Sequence, residues 1–342
     1  MTIGEALKWG IKKLTGSGVD PVRGRSPQGD RSTAFGGAAS NGVDSPALDA
    51  EVILAHVLGV PRAELYIHPL TTLLPAEAAT YKILIKRRFK REPVAYITGH
   101  KEFYGMDFIV DKSTLIPRPE TEMLVEEALK AVKARNTKTL CFVDVGTGSG
   151  CIIVSLTKIL NQISRHKTLH FFATEISPQA LKIAKLNAKR HSLADKIVFR
   201  KGYLLKPILS NLEKTVPQSR LLITANLPYL PTAEWRRAME DVHYEPRQAL
   251  DGGKDGLEYY RHLFEQLKSW RGIKKFANVA VLAEIDPHQV NEFTTLIKSF
   301  FSRASYQSKK IWPALIELRS RYYESQEALF VVDICSGVLY CR

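Results

Sequence analysis

One short stretch of the chain combines residue types that suit recognition of a planar amide or amine. Residues 222–225 are apolar or β-branched and predict a buried strand, and Asn226-Leu227-Pro228-Tyr229 follows directly. The Asn226 side-chain oxygen can accept one N–H, and a carbonyl of Leu227 or Pro228 can accept a second. The Tyr229 ring can cover the plane of such a group. An ordinary strand-to-loop turn uses the same residue types, so the stretch alone leaves both interpretations open.

A glycine-rich loop lies upstream, between a predicted strand over 140–145 and a predicted helix over 151–160. Glycines in such a loop let the backbone approach a ligand closely, although tight turns also use them. Glu175 ends the next predicted strand, where an acid can accept both ribose hydroxyls of an adenosine or simply cap the next helix. The loop residues are Gly146, Thr147, Gly148, Ser149 and Gly150.

Asp144 precedes this loop, and its carboxylate helps to distinguish between two classes of cofactor that the loop could bind. A dinucleotide-binding loop has the pattern Gly-x-Gly-x-x-Gly and holds a pyrophosphate, whereas this loop reads Asp-x-Gly-x-Gly-x-Gly. A carboxylate would repel a pyrophosphate but suits a ligand that carries an ammonium and a sulfonium group. S-adenosylmethionine has both, so the loop favours a methyl donor over a nicotinamide cofactor.

From residue 140 onward, buried strands alternate with helices. Several βα units in a row predict an α/β fold with a doubly wound, mostly parallel sheet. Ligands bind at the carboxyl ends of the strands in such sheets, which brings Asn226 beside the glycine-rich loop. Accepting both N–H groups of an amide raises the electron density on its nitrogen as positive charge develops. The sequence therefore predicts methyl transfer to an –NH₂ nitrogen. The predicted strands cover 140–145, 169–174, 197–199, 221–225, 279–285 and 328–334.

The chain divides into regions of different character. Residues 1–100 are predicted to form a small helical domain, in which 16–45 is a flexible insertion rich in Gly, Ser, Pro and Asp. Alternating apolar residues predict a linking β-hairpin over 101–116, and the second domain covers 117–342. Five cations within 86–91 end a predicted helix and form either a partner-binding patch or a solvated face.

Composition narrows the class of protein. The 342 residues carry 49 Lys and Arg against 35 Asp and Glu, a net charge of +14, which suggests an acidic partner. No apolar run approaches the ~18 residues of a membrane span, so no membrane association is expected. The four cysteines lack metal-ligand spacing, which predicts a reduced cytoplasmic protein with neither disulfides nor a metal site.

Motifs along nearly the whole chain resemble the release-factor glutamine methyltransferase family (HemK-like), within the Rossmann-type S-adenosylmethionine-dependent methyltransferases. The resemblance implies a seven-stranded Rossmann-like methyltransferase domain preceded by a helical domain that binds the partner. The matching segments are 48–51, 57–59, 92–99, 103–105, 116–122, 144–150, 187–188, 226–229, 245–246, 249–250, 252–253 and 255–257.

The resemblance also implies roles for the site residues. Asp144, the loop from Gly146 to Gly150, Glu175 and Asn226 would bind S-adenosylmethionine. Asn226, Pro228 and Tyr229 would be catalytic and, with Leu227, would hold the glutamine of a Gly-Gly-Gln loop. The substrate would be a peptide chain release factor, methylated in translation termination by a monomeric enzyme without a stable nucleic-acid partner.

The sequence departs from the family pattern at two positions and in the insertion at 16–45, which lengthens the helical domain that would bind the partner. Leu227 replaces the first Pro of the usual Asn-Pro-Pro-Tyr, which predicts a less restrained Asn226. Tyr203 stands where the family usually has an Asp and is predicted to stack on the cofactor instead. Leu227 and Tyr203 leave open an inactive protein that binds S-adenosylmethionine. The basic chain and the similar Asn/Asp-Pro-Pro-Tyr site of such enzymes leave open a methyltransferase for the amino group of adenine in nucleic acid.

Overall fold

The computed structural model describes residues 1–16, 43, 45–133, 139–163, 168–215, 219–301, 306–309 and 328–333. The chain forms two compact units. The first comprises Met1–Gly99 with Glu240–Tyr244, and the second comprises His100–Met239 with Glu245–Arg342. Most of the insertion predicted at 16–45 lies outside the described residues. Within the described part of the chain, no helix is long and apolar enough to cross a membrane.

The first unit is helical. Thr2 caps its first helix through a capping box, prolines occupy the first turn of the second and fourth, and Gly59 ends the second in a left-handed conformation. Apolar side chains at three- to four-residue spacing bury a core that includes Leu54 and Tyr81. The helices are α1 (Ile3–Leu14), α2 (Pro46–Leu58), α3 (Glu64–Ile67), α4 (Pro75–Phe89) and α5 (Val94–Thr98).

Ion pairs within this unit involve the cationic run over 86–91. Arg88 is buried, and its guanidinium donates to Asp49 at 2.6 Å and to Asp241 at 3.2 Å. Arg91 also pairs with Asp241. These cations balance carboxylates of their own unit, which favours a structural role for this part of the run.

The second unit begins with a hairpin and continues as alternating helices and strands. The hairpin consists of β1 (His100–Phe103) and β2 (Met106–Ile109). The elements that follow are α6 (Glu122–Lys133), β3 (Thr139–Val145), α7 (Cys151–Ile163), β4 (Thr168–Glu175), α8 (Pro178–Arg190), β5 (Ile197–Lys201), α9 (Leu209–Thr215), β6 (Arg220–Ala225), α10 (Thr232–Arg237), α11 (Glu258–Ser269), β7 (Asn278–Ile285), α12 (Val290–Phe300), β8 (Tyr306–Lys309) and β9 (Ala328–Asp333).

Among the described residues, the large sheet has seven strands in the order β5-β4-β3-β6-β7-β9-β8. The first five are parallel, and β9 pairs antiparallel with both β7 and β8. The predicted fold class is therefore confirmed. Strands β6 and β7 are buried along their whole length, because helices cover both faces of such a sheet. The strand order reverses direction between β3 and β6, which marks the edge where a ligand is expected.

Candidate active site

A cavity of about 320 Å³ lies in the second unit, at the carboxyl ends of β3, β4 and β6. Val145 pairs with Ala225 in the parallel register, so Gly146 and Asn226 leave neighbouring strands side by side. Asp144, Gly150 and Tyr229 are not among the residues that line the cavity. The predicted site residues that line it are Gly146, Thr147, Gly148, Ser149, Glu175, Tyr203, Asn226, Leu227 and Pro228.

The glycines of the loop have different physical roles. Gly148 has φ +54°, and a Cβ built on it would meet no atom within 4 Å, so its missing side chain leaves room for a ligand. Gly150 has φ +81°, and its Cβ would lie 3.1 Å from the Ala184 Cβ on α8. Gly150 therefore permits close packing of α8, while Gly148 opens the cavity.

Asp144 is fully buried beneath the loop. Its carboxylate accepts hydrogen bonds from the Thr147 hydroxyl at 2.6 Å and from the Thr224 hydroxyl on β6 at 2.7 Å. Burial raises the pKa of Asp144 to about 6, although both threonines oppose the shift. In this position the carboxylate ties the loop to β6, so its effect on a ligand passes through the backbone that it holds.

Asp144→Asn is expected to change how stability depends on pH. Because burial raises the pKa of Asp144 from 3.8 to about 6, ionising it costs stability as the pH rises through this range. The Asn variant lacks this cost. Its free energy of unfolding, relative to wild type, should rise by roughly 1 kcal/mol between about pH 5 and pH 7.5. Chemical denaturation at both pH values measures the difference, and an unchanged difference would contradict the assignment.

Glu175 is buried at the end of β4 and faces the cavity. Its two carboxylate oxygens accept from the Gly148 N–H and the Ser177 N–H, both at 2.9 Å. Burial raises the pKa of Glu175, and these backbone bonds act against that shift. Each carboxylate oxygen has a second lone pair, so the group can still accept hydroxyl donors. Its predicted contact with ribose hydroxyls is compatible with this position.

Asn226 begins the loop after β6 and makes a contact that sequence reasoning missed. Its Nδ2 donates to the Thr121 hydroxyl at 3.0 Å. Thr121 ends a single 3₁₀ turn over Pro119–Thr121, inside the segment 116–122. This segment is also anchored by Glu245, which accepts from the Ile116 N–H at 2.9 Å. The segment 116–122 and the loop that begins at Asn226 are therefore in contact through the Asn226 amide.

The carbonyls that follow Asn226 are not equivalent. The Tyr229 carbonyl accepts from Gln289 Nε2 at 2.8 Å. The Pro228 carbonyl packs against Gly252, on which a Cβ would lie only 2.4 Å from that oxygen. Among the described residues, no backbone or side-chain group donates a hydrogen bond to the carbonyl of Leu227. The Leu227 carbonyl is thus the best candidate for a second acceptor beside Asn226.

Tyr203 lines the cavity from the loop after β5. Its hydroxyl lies 2.5 Å from His262 Nδ1, which fixes the position of the ring. Burial raises the pKa of Tyr203 to about 12, so the phenol is neutral at physiological pH. A neutral aromatic ring at this position is compatible with the predicted stacking, which stays a prediction.

Residues 38–99 match the family model described as the PrmC N-terminal domain. The chain is also similar to proteins named release factor glutamine methyltransferase. Identity is 41% with the protein from Geobacter sulfurreducens, over 65% of this chain and 72% of that protein. It is 36% with the protein from Dictyoglomus turgidum (78% and 87%) and 32% with that from Bacillus anthracis (89% and 93%).

The chain belongs to the release factor glutamine methyltransferase family. Its membership rests on these matches along most of both chains. Among solved structures, the N-terminal domain of human METTL16 in complex with SAH is 14% identical, with a TM-score of 0.44, over 86% of this chain and 96% of that chain.

The structure shows how the loop accommodates Leu227 at the position where the resemblance predicts a Pro. The Leu227 side chain is 3% exposed and packs in the main core of the unit. Its N–H, which a proline would lack, points to the Tyr260 hydroxyl at 3.4 Å. That hydroxyl also lies 2.6 Å from the Glu284 carbonyl and 3.0 Å from the Ala225 carbonyl. Core packing of the Leu227 side chain therefore restrains the loop at this position, and the long contact with Tyr260 adds little.

Proposed function

We propose that this protein transfers a methyl group from S-adenosylmethionine to the side-chain amide nitrogen of glutamine in the Gly-Gly-Gln loop of a peptide chain release factor. The observation that carries the proposal is the position of Asn226, beside the glycine-rich loop at the reversal point of the sheet. The names of its relatives support the same substrate. We also propose that the protein is a cytoplasmic monomer without a stable nucleic-acid partner.

The residues of the cavity suit the methyl donor. S-adenosylmethionine supplies an electrophilic methyl group on a sulfonium centre. The space at Gly148 admits a ligand close to the backbone. Glu175 accepts from the Gly148 N–H at 2.9 Å and has further lone pairs that can accept from a ligand. Asp144 holds the loop from beneath through Thr147. The Tyr203 ring, which also lines the cavity, is the proposed flat surface for the cofactor.

The glutamine amide needs two acceptors and an oriented nitrogen. The Asn226 Oδ1 would accept one N–H, and the Leu227 carbonyl would accept the other. Both contacts strengthen as positive charge develops on nitrogen, which lowers the barrier to transfer. Holding the nitrogen in line with the donor supplies much of the remaining rate enhancement. Pro228 and Tyr229 are proposed to shape the entrance for the glutamine side chain.

Leu227→Pro is expected to maintain or raise the rate of transfer, because the proline ring holds Asn226 in an extended conformation. The lost contact with Tyr260 is long, at 3.4 Å, and contributes little. Loss of a buried leucine should lower the free energy of unfolding by about 2 kcal/mol. Single-turnover rates and denaturation measure both effects. A collapse of the rate in a folded variant that still binds the donor would refute the expectation.

The decisive experiment follows labelled methyl transfer from S-adenosylmethionine. The acceptors are a purified release factor, its variant with Ala in place of the loop glutamine, duplex DNA and RNA. Label on the wild-type factor alone is expected. The net charge of +14 gives the nucleic-acid alternative its weight, and label on DNA or RNA would establish it. Donor binding without label on any acceptor would indicate an inactive binding protein.

A further inference from the structure

Three side chains from distant parts of the sequence form a hydrogen-bonded series that ends at Asn226. Asn226 Nδ2 lies 3.0 Å from the Thr121 hydroxyl, and that hydroxyl lies 3.3 Å from a carboxylate oxygen of Glu284 near the end of β7. Thr121 is 3% exposed and Glu284 is 2% exposed. Asn226 is partly exposed and lines the cavity. The series thus leads from the core of the sheet to the proposed acceptor site.

The chemistry of these groups fixes the direction of the series. The Thr121 hydroxyl is the donor to Glu284 Oε1, so its single proton is used in this bond. The Thr121 oxygen then has only lone pairs left for Asn226. It therefore selects the –NH₂ side of the Asn226 amide, and the carbonyl Oδ1 must take the opposite side. Without this series, the amide could turn by about 180° at little cost, since its two ends have nearly the same shape.

We propose that Thr121 and Glu284 are positioning residues that hold the Asn226 amide with Oδ1 toward the substrate amide and –NH₂ toward the protein. The inference rests on the proposed function and adds the orientation on which that function depends. In the reversed orientation, Asn226 would present donors to the donors of the substrate –NH₂ group. Recognition of the glutamine amide would then fail, although every cavity residue would remain in place.

Thr121→Val removes the hydroxyl while keeping the shape of the side chain, and Thr121→Ser keeps the hydroxyl. We expect the valine variant to lose about 10²-fold in single-turnover transfer to the release factor, the loss typical of one stabilising hydrogen-bond group in a site. The serine variant should stay within about three-fold of wild type, a difference of less than 1 kcal/mol. Donor affinity, measured by calorimetry, should change less than about two-fold in both.

A matched control separates orientation from a general loss of packing. Thr157→Val removes another buried hydroxyl of the same unit, which donates to the Ile153 carbonyl at 2.7 Å within α7. We expect this variant to transfer methyl at the wild-type rate. Equal losses in Thr121→Ser and Thr121→Val, or a wild-type rate in Thr121→Val, would overturn the inference.

Glu284→Met tests whether the carboxylate acts through Thr121. Without an acceptor at 284, the Thr121 proton can be donated to Asn226 Oδ1 and stabilise the reversed amide. We expect Glu284→Met to slow transfer in the wild-type background and to add less than about three-fold when Thr121→Val is already present. Additive losses would overturn the role of Glu284. If Glu284→Met does not fold, the Thr121 pair and the Thr157 control still decide the role of Thr121.

The wild-type rate in the same series distinguishes this inference from the proposed function. If wild-type protein labels no release factor, the proposed function fails and the inference fails with it. If wild-type protein labels the factor and Thr121→Val does so equally fast, only the inference fails.

Discussion

Asn226→Ala should reduce methyl transfer to a release factor by about 10³-fold or more, with donor affinity within a few-fold of wild type. The substitution removes the proposed acceptor for the substrate N–H but leaves Gly148 and Glu175, the groups proposed to hold the donor, in place. Single-turnover transfer and calorimetric titration of the donor measure the two effects separately. A large loss of transfer rate with little change in donor affinity is what we expect of a group that contacts the substrate amide and not the donor.

Asn291 provides the matched control. It is an exposed asparagine on α12 in the same unit, and Asn291→Ala should leave both transfer and donor affinity unchanged. Transfer at the wild-type rate in Asn226→Ala would remove Asn226 from the proposed chemistry. A parallel loss of donor affinity and transfer would instead assign Asn226 to cofactor binding alone.

Gly256→Ala is expected to abolish most activity, although Gly256 does not itself line the cavity. Gly256 has φ +76°, and a Cβ there would lie 2.1 Å from both the Tyr229 carbonyl and Gln289 Nε2. The methyl group would force the Asn226–Tyr229 loop to move. A displacement of about 1 Å can cost about 10²-fold in rate, and we expect at least that loss. Single-turnover transfer with saturating donor is the appropriate measurement.

The strain of a positive φ must be separated from this collision. Gly59 has φ +66° at the end of α2, and a Cβ on it would meet no atom within 4 Å. Gly59→Ala therefore carries similar backbone strain, worth about 1 kcal/mol, without a contact with the loop. It should lower stability and leave the rate constant for transfer unchanged. If both variants lose the same activity, the collision at Tyr229 is not the cause.

Sequence reasoning succeeded where a residue's role depends on its immediate neighbours. Buried strands over residues 140–145 and 221–225 were predictable from runs rich in apolar and β-branched residues, and they occur within β3 and β6. Their adjacency follows from the general rule for doubly wound sheets, and the register confirms it. The resemblance between motifs predicted the family, which the comparisons show. Most of the insertion at 16–45 and most of the last forty residues lie outside the described part of the chain.

Sequence reasoning was incomplete where a role depends on hydrogen bonds between distant segments. Asp144 was predicted to face the ligand because it precedes the glycine-rich loop, yet its carboxylate lies beneath the loop with two threonine hydroxyls. The signal available in the sequence was Thr147, three residues away and able to bond back. Nothing local pointed to Thr224, because its proximity follows from the pairing of β3 with β6.

The sequence by itself determined the elements, the edge of the sheet where chemistry is expected and the family. Strand and helix periodicity and glycine conformations arise from interactions over a few residues, so the pattern of residues along the sequence predicts them. The tertiary structure alone decided that Thr121 and Asn226, 105 positions apart, share a hydrogen bond. It also decided that Thr121 bonds to Glu284, which lies 163 positions after it. It also placed Gln289 against the Tyr229 carbonyl. Such partners depend on strand register and on close packing of loops, and neither quantity is encoded in the order of neighbouring residues.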